Sequence, residues 1–274
     1  MNMETNSLVV FEGLKQPSRV FIAHHWRKPP SISIVIPIQN EDANIAPLLA
    51  EIKKHLDGRY DYEVIFVDDH STDETVTILR ELAAEFPIMR PIRLNRRCGQ
   101  SGALLEGVKA ARAQLIVTLD GDGQNDPADI DALIRCYDQT ASYSPRCLII
   151  GYRRSRQDSI WRRFSSKIAD TVRGMVLRDS TPDGDCGIKV FSRGLFLELP
   201  AFNHMDRFLP ALARQFGGTV VSVEVHHRPK KNGSSHYGAL DKLAEDIVDL
   251  LGVVWLGRRA INTEVSKERT RTHG

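Results

Sequence analysis

The feature that most constrains the fold is a regular alternation of apolar runs and amphipathic segments after residue 30. The strand-like runs are 31–38, 62–69, 89–94 and 113–120. The segments between them, with apolar residues at helical spacing, are 41–56, 71–86 and 101–113. Short connections between alternating strands and helices favour right-handed crossovers and parallel pairing. The pattern therefore predicts an α/β fold: a doubly wound, mostly parallel sheet with helices on both faces.

The second half of the chain continues this pattern less regularly. We expect helices at 127–138, 159–178, 204–216 and 239–257, and strands at 147–152, 188–191 and 219–228. Residues 1–30 fit no element and are predicted to be an arm. The predicted organisation is thus the arm (1–30), one α/β domain (31–238), and an amphipathic helix with a basic tail (239–274).

Composition excludes several classes of protein. A net charge of +2 and 42% hydrophobic residues describe an ordinary globular chain, and no nucleic-acid partner is expected. Four scattered cysteines without a CxxC pair argue against a disulfide framework or a zinc site and favour a reducing, cytoplasmic location. No signal-peptide pattern opens the chain, and no run of about 18 apolar residues indicates a membrane span.

Acidic residues follow three of the predicted strands, at Glu41, at Asp68 and Asp69, and at 120–126. Ligands of such sheets bind at the carboxyl ends of the strands, so these side chains are expected to converge. In "DGDGQ", Asp120, Asp122 and Gln124 offer the hard oxygen ligands that Mg²⁺ or Mn²⁺ prefers. An acidic surface turn is the alternative for this stretch taken alone.

A phospho-receiver module also places acidic residues after its strands. Here a complete strand–helix unit precedes Asp68, and residues 121–274 follow Asp120, which is too long for such a module. The length therefore argues against a phospho-receiver module and leaves the interpretation of a cation site that is open to substrate phosphates.

Several ordered motifs carry a resemblance to a known family. In the first half they are VIPIQNE (35–41), VDDHSTDET (67–75), NRRCGQSGALLEG (95–107) and LDGDGQND (119–126). In the second half they are GYRRSRQDS (151–159), WRRFSSKIAD (161–170), DGDCGIKVF (183–191), HMDRFLPAL (204–212) and HRPKKNGSSHYG (227–238). The chain resembles the family 2, GT-A-fold inverting glycosyltransferases, in particular the branch similar to dolichol-phosphate mannosyltransferase.

The resemblance implies a role for individual residues. It implies a nucleotide-sugar-binding half (31–126) whose ligands are Pro37, Asn40, Glu41, Asp68, Asp69, Gly99, Gln100, Asp120 and Gly121. It implies an acceptor half (127–238) whose phosphate ligands are Arg153, Arg162, Ser166, Arg228 and Lys230. The implied metal ligands are Asp120, Asp122 and Gln124, and the implied catalytic residues are Asp122, Arg162 and Asp183.

The expected reaction moves a sugar, mannose or another hexose, from a GDP- or UDP-sugar to a polyprenyl phosphate. A phosphate monoester is largely a dianion at neutral pH, so it attacks without a general base. Mg²⁺ or Mn²⁺ would stabilise the leaving diphosphate, and a single displacement would invert the anomeric carbon.

Two alternatives remain open. A saccharide or lipid hydroxyl acceptor needs a base, for which Asp183 is the first candidate and Asp206 the second; Asp183 could instead be a turn residue. A non-catalytic nucleotide-sugar-binding relative is the other alternative. The sequence also departs from the family pattern at His236, where relatives carry lysine.

The last predicted helix has two interpretations. Its apolar face packs against the core, or it lies in a membrane interface with Trp255 in lipid and Arg258 and Arg259 at anionic headgroups. Because a polyprenyl acceptor resides in the bilayer, we expect a peripheral protein on the cytoplasmic face of a membrane. The predicted helix 159–178 is the competing candidate for the surface that reaches the lipid.

Overall fold

The computed structural model describes residues 29–153, 181, 183–184, 186–226, 228 and 239–259, with the backbone alone for 239–247. Four residues singled out in the sequence lie outside this description: Arg162, Ser166, Lys230 and His236. The predicted arm lies outside it as well, apart from residues 29 and 30.

Seven strands and seven α-helices are defined within the described ranges. The strands are β1 (Ile32–Ile38), β2 (Tyr62–Asp68), β3 (Ile92–Arg93), β4 (Leu115–Thr118), β5 (Cys147–Tyr152), β6 (Lys189–Ser192) and β7 (Thr219–Glu224). The helices are α1 (Asp42–Leu56), α2 (Thr75–Glu85), α3 (Gly99–Ala110), α4 (Ile130–Ala141), α5 (Arg193–Glu198), α6 (Met205–Gln215) and α7 (Ala239–Arg259). A single 3₁₀ turn, Pro127–Asp129, leads into α4.

The strands form one sheet in the order β3-β2-β1-β4-β6-β5-β7. All neighbouring pairs are parallel except those of β6, which runs antiparallel to β4 and β5. Register places Asp68 opposite Ile38, and Thr118 opposite Val35. The chain therefore leaves β1, β2 and β4 at one edge of the sheet, as predicted.

Both faces of the sheet are covered, as the uninterrupted apolar strands predict. Ile34 and Ile36 point to a core shared with α1, α2 and α4. Val35, on the opposite side of β1, belongs to a second core with α3, α5, α6 and Val253 of α7. The predicted fold class is confirmed.

Some predicted boundaries were wrong for local reasons. The strand at 89–94 shrinks to two residues after Pro91, which has no N–H for the ladder, although Met89 still bridges to Val64. Helix α2 begins at Thr75, and Ser71 does not cap it, because its hydroxyl accepts from the backbone N–H of Asn40 instead. Strand β7 ends at Glu224, four residues early.

Candidate active site at the carboxyl edge of the sheet

The loops after β1 and β2 are joined to each other at the edge. Asn40 and His70 both adopt left-handed backbone conformations, with φ of 53° and 61°, where the chain turns out of each strand. The N–H of Asn40 donates to Ser71 Oγ at 2.9 Å, and Asn40 Oδ1 accepts from the N–H of Thr72 at 2.9 Å. Two loops that carry predicted nucleotide ligands thus form one wall.

The acidic pair after β2 is engaged by the protein itself. Asp68 is fully buried, accepts from the N–H of Ser71 at 3.0 Å, and pairs with Arg93 at 3.3 Å. Asp69 accepts from the N–H groups of Cys98 and Gly99 at 2.6 and 2.8 Å. Those N–H groups open helix α3 and have no partner within the helix, so Asp69 stabilises its start.

Residues 120–126, here called the acidic loop, follow β4 and Leu119. The loop is held from inside by Asn125, a buried residue whose Oδ1 accepts from the N–H of Asp120 at 2.8 Å. Asp122 Oδ1 accepts from the N–H of Gln124 at 3.1 Å. Gly121 packs so closely on Ile38 and the Pro37 carbonyl that a Cβ there would overlap them. The loop therefore lies against the end of β1.

Asp120 is the most perturbed carboxyl of the site. Its Oδ1 accepts from Gln100 Nε2 at 3.0 Å, and its carboxylate packs on the Cα of Gly187, where any side chain would overlap it. Part of Asp120 remains accessible, but protein atoms surround its carboxylate. This burial raises the pKa of Asp120 to about 6, with contributions from Asp122 and Asp206 that the charges of Lys189 and Arg153 oppose.

Several residues near Asp120 were not assigned a role from the sequence. Lys189 is buried, with its ammonium donating to the carbonyl of Cys186 at 2.5 Å. Ser101, in the first turn of α3, donates its hydroxyl to Asp206, the second candidate base. The N–H of Asp206 returns a hydrogen bond to Ser101 Oγ at 3.1 Å. The one sign of this cluster in the sequence is Lys189, a charged residue within the otherwise apolar run 188–191.

Asp183 and Arg153 form a two-point ion pair. Arg153 Nε and Nη2 lie 2.6 and 3.0 Å from the two oxygens of Asp183, and both side chains are largely buried. Burial lowers the pKa of Arg153, but Asp183 outweighs it, so the net shift is upward. The charge of Arg153 also acts on Asp120. An arginine predicted to hold the acceptor thus lies within electrostatic range of the acidic loop.

Arg228 contacts the last residues of the acidic loop. Its Nη1 donates to Glu51 at 2.5 Å, its Nη2 pairs with Asp126 at 2.8 Å, and its N–H donates to the carbonyl of Gln124 at 3.3 Å. The predicted phosphate ligand is therefore occupied by two carboxylates in this structure.

The acidic loop fits a divalent cation that shares its coordination with a substrate. No group of three or more His, Cys, Asp or Glu residues suited to a metal occurs within the described ranges. Mg²⁺ in nucleotide sites is commonly held by one or two carboxylates together with substrate phosphates. Asp120 and Asp122 supply two carboxylates on one turn, and a cation there would relieve the cost of ionising Asp120.

Comparison with known proteins agrees with this geometry. The profile of Glycosyl transferase family 2 matches residues 33–199. The chain belongs to glycosyltransferase family 2. The predicted family is confirmed, and with it the assignment as a glycosyltransferase.

The names of two curated relatives of this family 2 glycosyltransferase each combine a polyprenyl phosphate with a sugar. A dodecaprenyl-phosphate galacturonate synthase of Rhizobium johnstonii is 31% identical over 83% of this chain and 67% of its own length. An undecaprenyl-phosphate 4-deoxy-4-formamido-L-arabinose transferase of Aeromonas hydrophila is 32% identical over 76% of this chain and 63% of its own length. The chain thus spans about two thirds of these relatives.

Solved structures support the GT-A fold. Glucosyl-3-phosphoglycerate synthase from Mycobacterium tuberculosis, crystallised with Mn²⁺, UDP-glucose and glycerol 3-phosphate, superimposes with a TM-score of 0.58 at 19% identity, covering 89% of this chain and 85% of that one. The same enzyme with Mg²⁺ and UDP gives a TM-score of 0.61 at 19% identity, covering 85% of this chain and 81% of that one. At this identity the likeness establishes the fold alone.

Within the described ranges, no helix of this glycosyltransferase is long and apolar enough to cross a membrane.

Proposed function

We propose that this glycosyltransferase moves one sugar from a nucleotide-diphosphate donor to the phosphate of a polyprenyl phosphate, with inversion. A phosphate oxygen of the lipid attacks the anomeric carbon, the bond from that carbon to the donor diphosphate breaks, and a nucleoside diphosphate leaves. The names of the two curated relatives, which combine a polyprenyl phosphate with a sugar, support the acceptor class. The donor, mannose or another hexose on GDP or UDP, is part of the same proposal.

The observation that carries the acceptor assignment is the two-point pair of Arg153 and Asp183. Both oxygens of Asp183 meet the guanidinium, which favours the ionised form but engages the lone pairs that a general base would use. A hydroxyl acceptor needs such a base, whereas a phosphate dianion does not. The pair therefore favours a role for Asp183 in orienting Arg153 toward the acceptor phosphate.

Each remaining residue has a positioning or electrostatic task in this proposal. The wall formed by the loops at Asn40 and Ser71 would hold the nucleoside, and Gln100 would orient Asp120. Asp120 and Asp122, with Gln124, would hold Mg²⁺ or Mn²⁺. Such an ion, when bound, supplies positive charge to the leaving diphosphate.

The proposal is tested by transfer assays with a panel of GDP- and UDP-sugars, Mg²⁺ or Mn²⁺, and a short-chain polyprenyl phosphate present or absent. We expect release of GDP or UDP that depends on the lipid and on the cation and is lost in Asp122→Ala. Transfer to a sugar hydroxyl but never to lipid phosphate would overturn the acceptor. Metal-dependent donor binding without turnover on any acceptor would indicate the non-catalytic relative.

Paired substitutions separate the two catalytic alternatives. With a phosphate acceptor, Arg162→Met is expected to reduce transfer more than Asp183→Asn, because no proton has to be removed. With a hydroxyl acceptor the order reverses, since loss of a general base typically costs about 10²–10⁴-fold.

We further propose that the protein works as a peripheral protein on the cytoplasmic face of a membrane, docked through helix α7. One side of α7 packs on the domain through fully buried Val253 and through a 2.8 Å contact between His204 and Asp249. The opposite side exposes Val248, Leu251 and Trp255, which are 68%, 63% and 60% accessible and lie one helical turn apart. This stripe is followed by Arg258 and Arg259, which suit anionic headgroups.

All four cysteines are free, as expected in a reducing compartment.

Co-sedimentation with vesicles of phosphatidylcholine and phosphatidylglycerol tests the docking surface. Trp255→Ala is expected to weaken vesicle binding about tenfold, the scale of one large aromatic side chain lost from an interface. Tyr143→Ala is the matched control. Tyr143 is also exposed, at 74% accessible, and is distant in sequence from α7. Equal effects of both substitutions, or a change confined to the oligomeric state, would contradict the assignment.

A further inference from the structure

The segment after β7 is attached to the acidic loop and to the start of α4 by consecutive contacts. The backbone N–H and the Nδ1 of His226 both lie 2.8 Å from Asp129, at the end of the 3₁₀ turn. Two residues on, the N–H of Arg228 donates to the carbonyl of Gln124. A segment that belongs to the predicted acceptor half thus contacts the loop that carries the predicted metal ligands.

The Arg228 side chain joins three parts of the chain. Its guanidinium lies between Glu51, in the middle of α1, and Asp126, the last residue of the acidic loop. Asp126 uses its other oxygen to accept from the N–H of Ala128 at 3.0 Å, which caps the 3₁₀ turn. Loss of the Arg228 side chain would therefore break the link between Asp126 and α1, while the backbone contact of residue 228 with Gln124 would remain.

The charges around Arg228 argue against a phosphate ligand. Two carboxylates already lie at ion-pair distance from this guanidinium. A phosphate would have to displace them or share the guanidinium with them. Those carboxylates would also repel a dianion approaching at contact distance, since like charges a few ångströms apart disfavour each other.

We propose that Arg228 is a positioning residue that holds the acidic loop from outside, as Asn125 holds it from inside, and that it does not bind a substrate phosphate. The two supports keep Asp120 and Asp122 in place before a ligand arrives, which lowers the ordering cost of binding. The consequence for donor binding rests on the proposed function, but the structural role does not. The proposal assigns a function to Glu51, which no motif of the sequence includes.

Hydrogen exchange of the full chain without ligand tests the structural role. In Arg228→Met, amide exchange in peptides covering the acidic loop is expected to accelerate about tenfold. The reason is that loss of the Arg228 ion pairs makes local opening of the loop easier. Glu51→Gln should produce a smaller acceleration in the same peptides. Arg135→Met is the matched control, since Arg135 forms an ion pair with Asp131 that lies on the exposed surface of α4.

Binding of Mn²⁺ with UDP or GDP, measured by calorimetry, tests the functional consequence. A positioning role predicts that Arg228→Met and Glu51→Gln both weaken binding, that the double variant is no worse than Arg228→Met, and that Arg228→Lys recovers part of the loss. A phosphate ligand predicts the opposite for Glu51→Gln, because removing a competing carboxylate would tighten binding.

Unchanged exchange in the acidic loop of Arg228→Met, or tighter binding in Glu51→Gln, would overturn the proposal. If Arg228→Met does not fold, as judged by circular dichroism, Glu51→Gln decides by the same two criteria. If the wild-type protein binds no nucleotide with Mn²⁺, the proposed function fails while the exchange experiment still decides the role of Arg228.

Discussion

Two acidic clusters end strands on either side of β1, and the protein treats them differently. After β2, Asp68 and Asp69 receive an arginine and three backbone N–H groups. After β4, Asp120 accepts from the side-chain amide of Gln100, and burial raises its pKa to about 6. Carboxylates that look equivalent in the sequence therefore differ in the fold: an arginine and backbone N–H groups compensate the first cluster, whereas burial disfavours the ionised form of Asp120 in the second.

The difference follows from what surrounds each strand end. The start of α3 faces Asp69 and offers N–H groups that have no partner within the helix. Asp120 instead packs on the backbone of Gly187, and the charges of Asp122 and Asp206 add to the effect of its burial while those of Lys189 and Arg153 oppose it. A carboxylate in the first setting stabilises the fold. In the second setting burial makes ionisation of the carboxylate costly, and a bound cation would reduce that cost.

The largest expected effect is on catalysis. Asp120→Asn and Asp122→Ala should each reduce transfer about 10³-fold, the scale of losing a preorganised electrostatic contact in a transition state. Thermal unfolding of Asp120→Asn should be unchanged or shifted upward, because a poorly compensated charge is removed. Transfer within tenfold of wild type in both variants would refute the assignment of the acidic loop.

Substitution in the other cluster should affect folding first. Asp69→Ala is expected to lower the free energy of unfolding by about 2 kcal/mol, since two hydrogen bonds from backbone N–H groups to a buried charge are lost. Urea denaturation measures this value. A loss as large in Asp120→Asn would remove the distinction between the clusters.

Dependence on pH provides a third test. Because the pKa of Asp120 is raised to about 6 from 3.8, the folded state binds more protons than the unfolded state between these values. Without metal, the stability contributed by this carboxyl is full below pH 3.8 and is lost as the pH rises through about 6. The difference in unfolding free energy between wild type and Asp120→Asn should follow this course.

Metal binding should have the opposite dependence on pH, because protons compete with the cation for Asp120. Affinity for Mn²⁺ with UDP or GDP is expected to fall about tenfold per unit below about pH 6. Calorimetry from pH 5 to 8 measures it, and a flat profile would exclude Asp120 from the metal site.

The smallest effect concerns Gln100. Gln100→Ala removes the hydrogen bond to the ionised Asp120. The pH below which Mn²⁺ affinity falls should therefore rise by about half a pH unit, as expected for a contact of about 0.7 kcal/mol. Above that pH the free energy of unfolding should fall by the same amount, about 0.7 kcal/mol, because the ionised carboxylate loses the contact. A downward shift would mean that Gln100 favours the protonated carboxyl.

The sequence was sufficient for the α/β class and the parallel strands of the first half, but not for the full strand order or for the partners of the polar residues. Uninterrupted apolar runs such as 64–67 can be satisfied only in a strand covered on both faces, so the α/β class followed from local pattern. The antiparallel insertion of β6 beside β4 did not follow, because pairing across 70 residues leaves no local trace. The contacts of Arg228 with Glu51 were hidden for the same reason.

The sequence by itself determined that three acidic strand ends share one edge, because parallel strands with short right-handed crossovers all end on the same side. The tertiary structure decided which of those carboxylates are compensated. These surroundings come from groups distant in the chain: the start of α3 compensates Asp69 and Arg153 pairs with Asp183, whereas Gly187 packs on the Asp120 carboxylate and the charge of Lys189 only partly offsets its burial. Whether a carboxylate supports the fold or awaits a ligand depends on the dielectric and the donors within a few ångströms, and only folding brings those together.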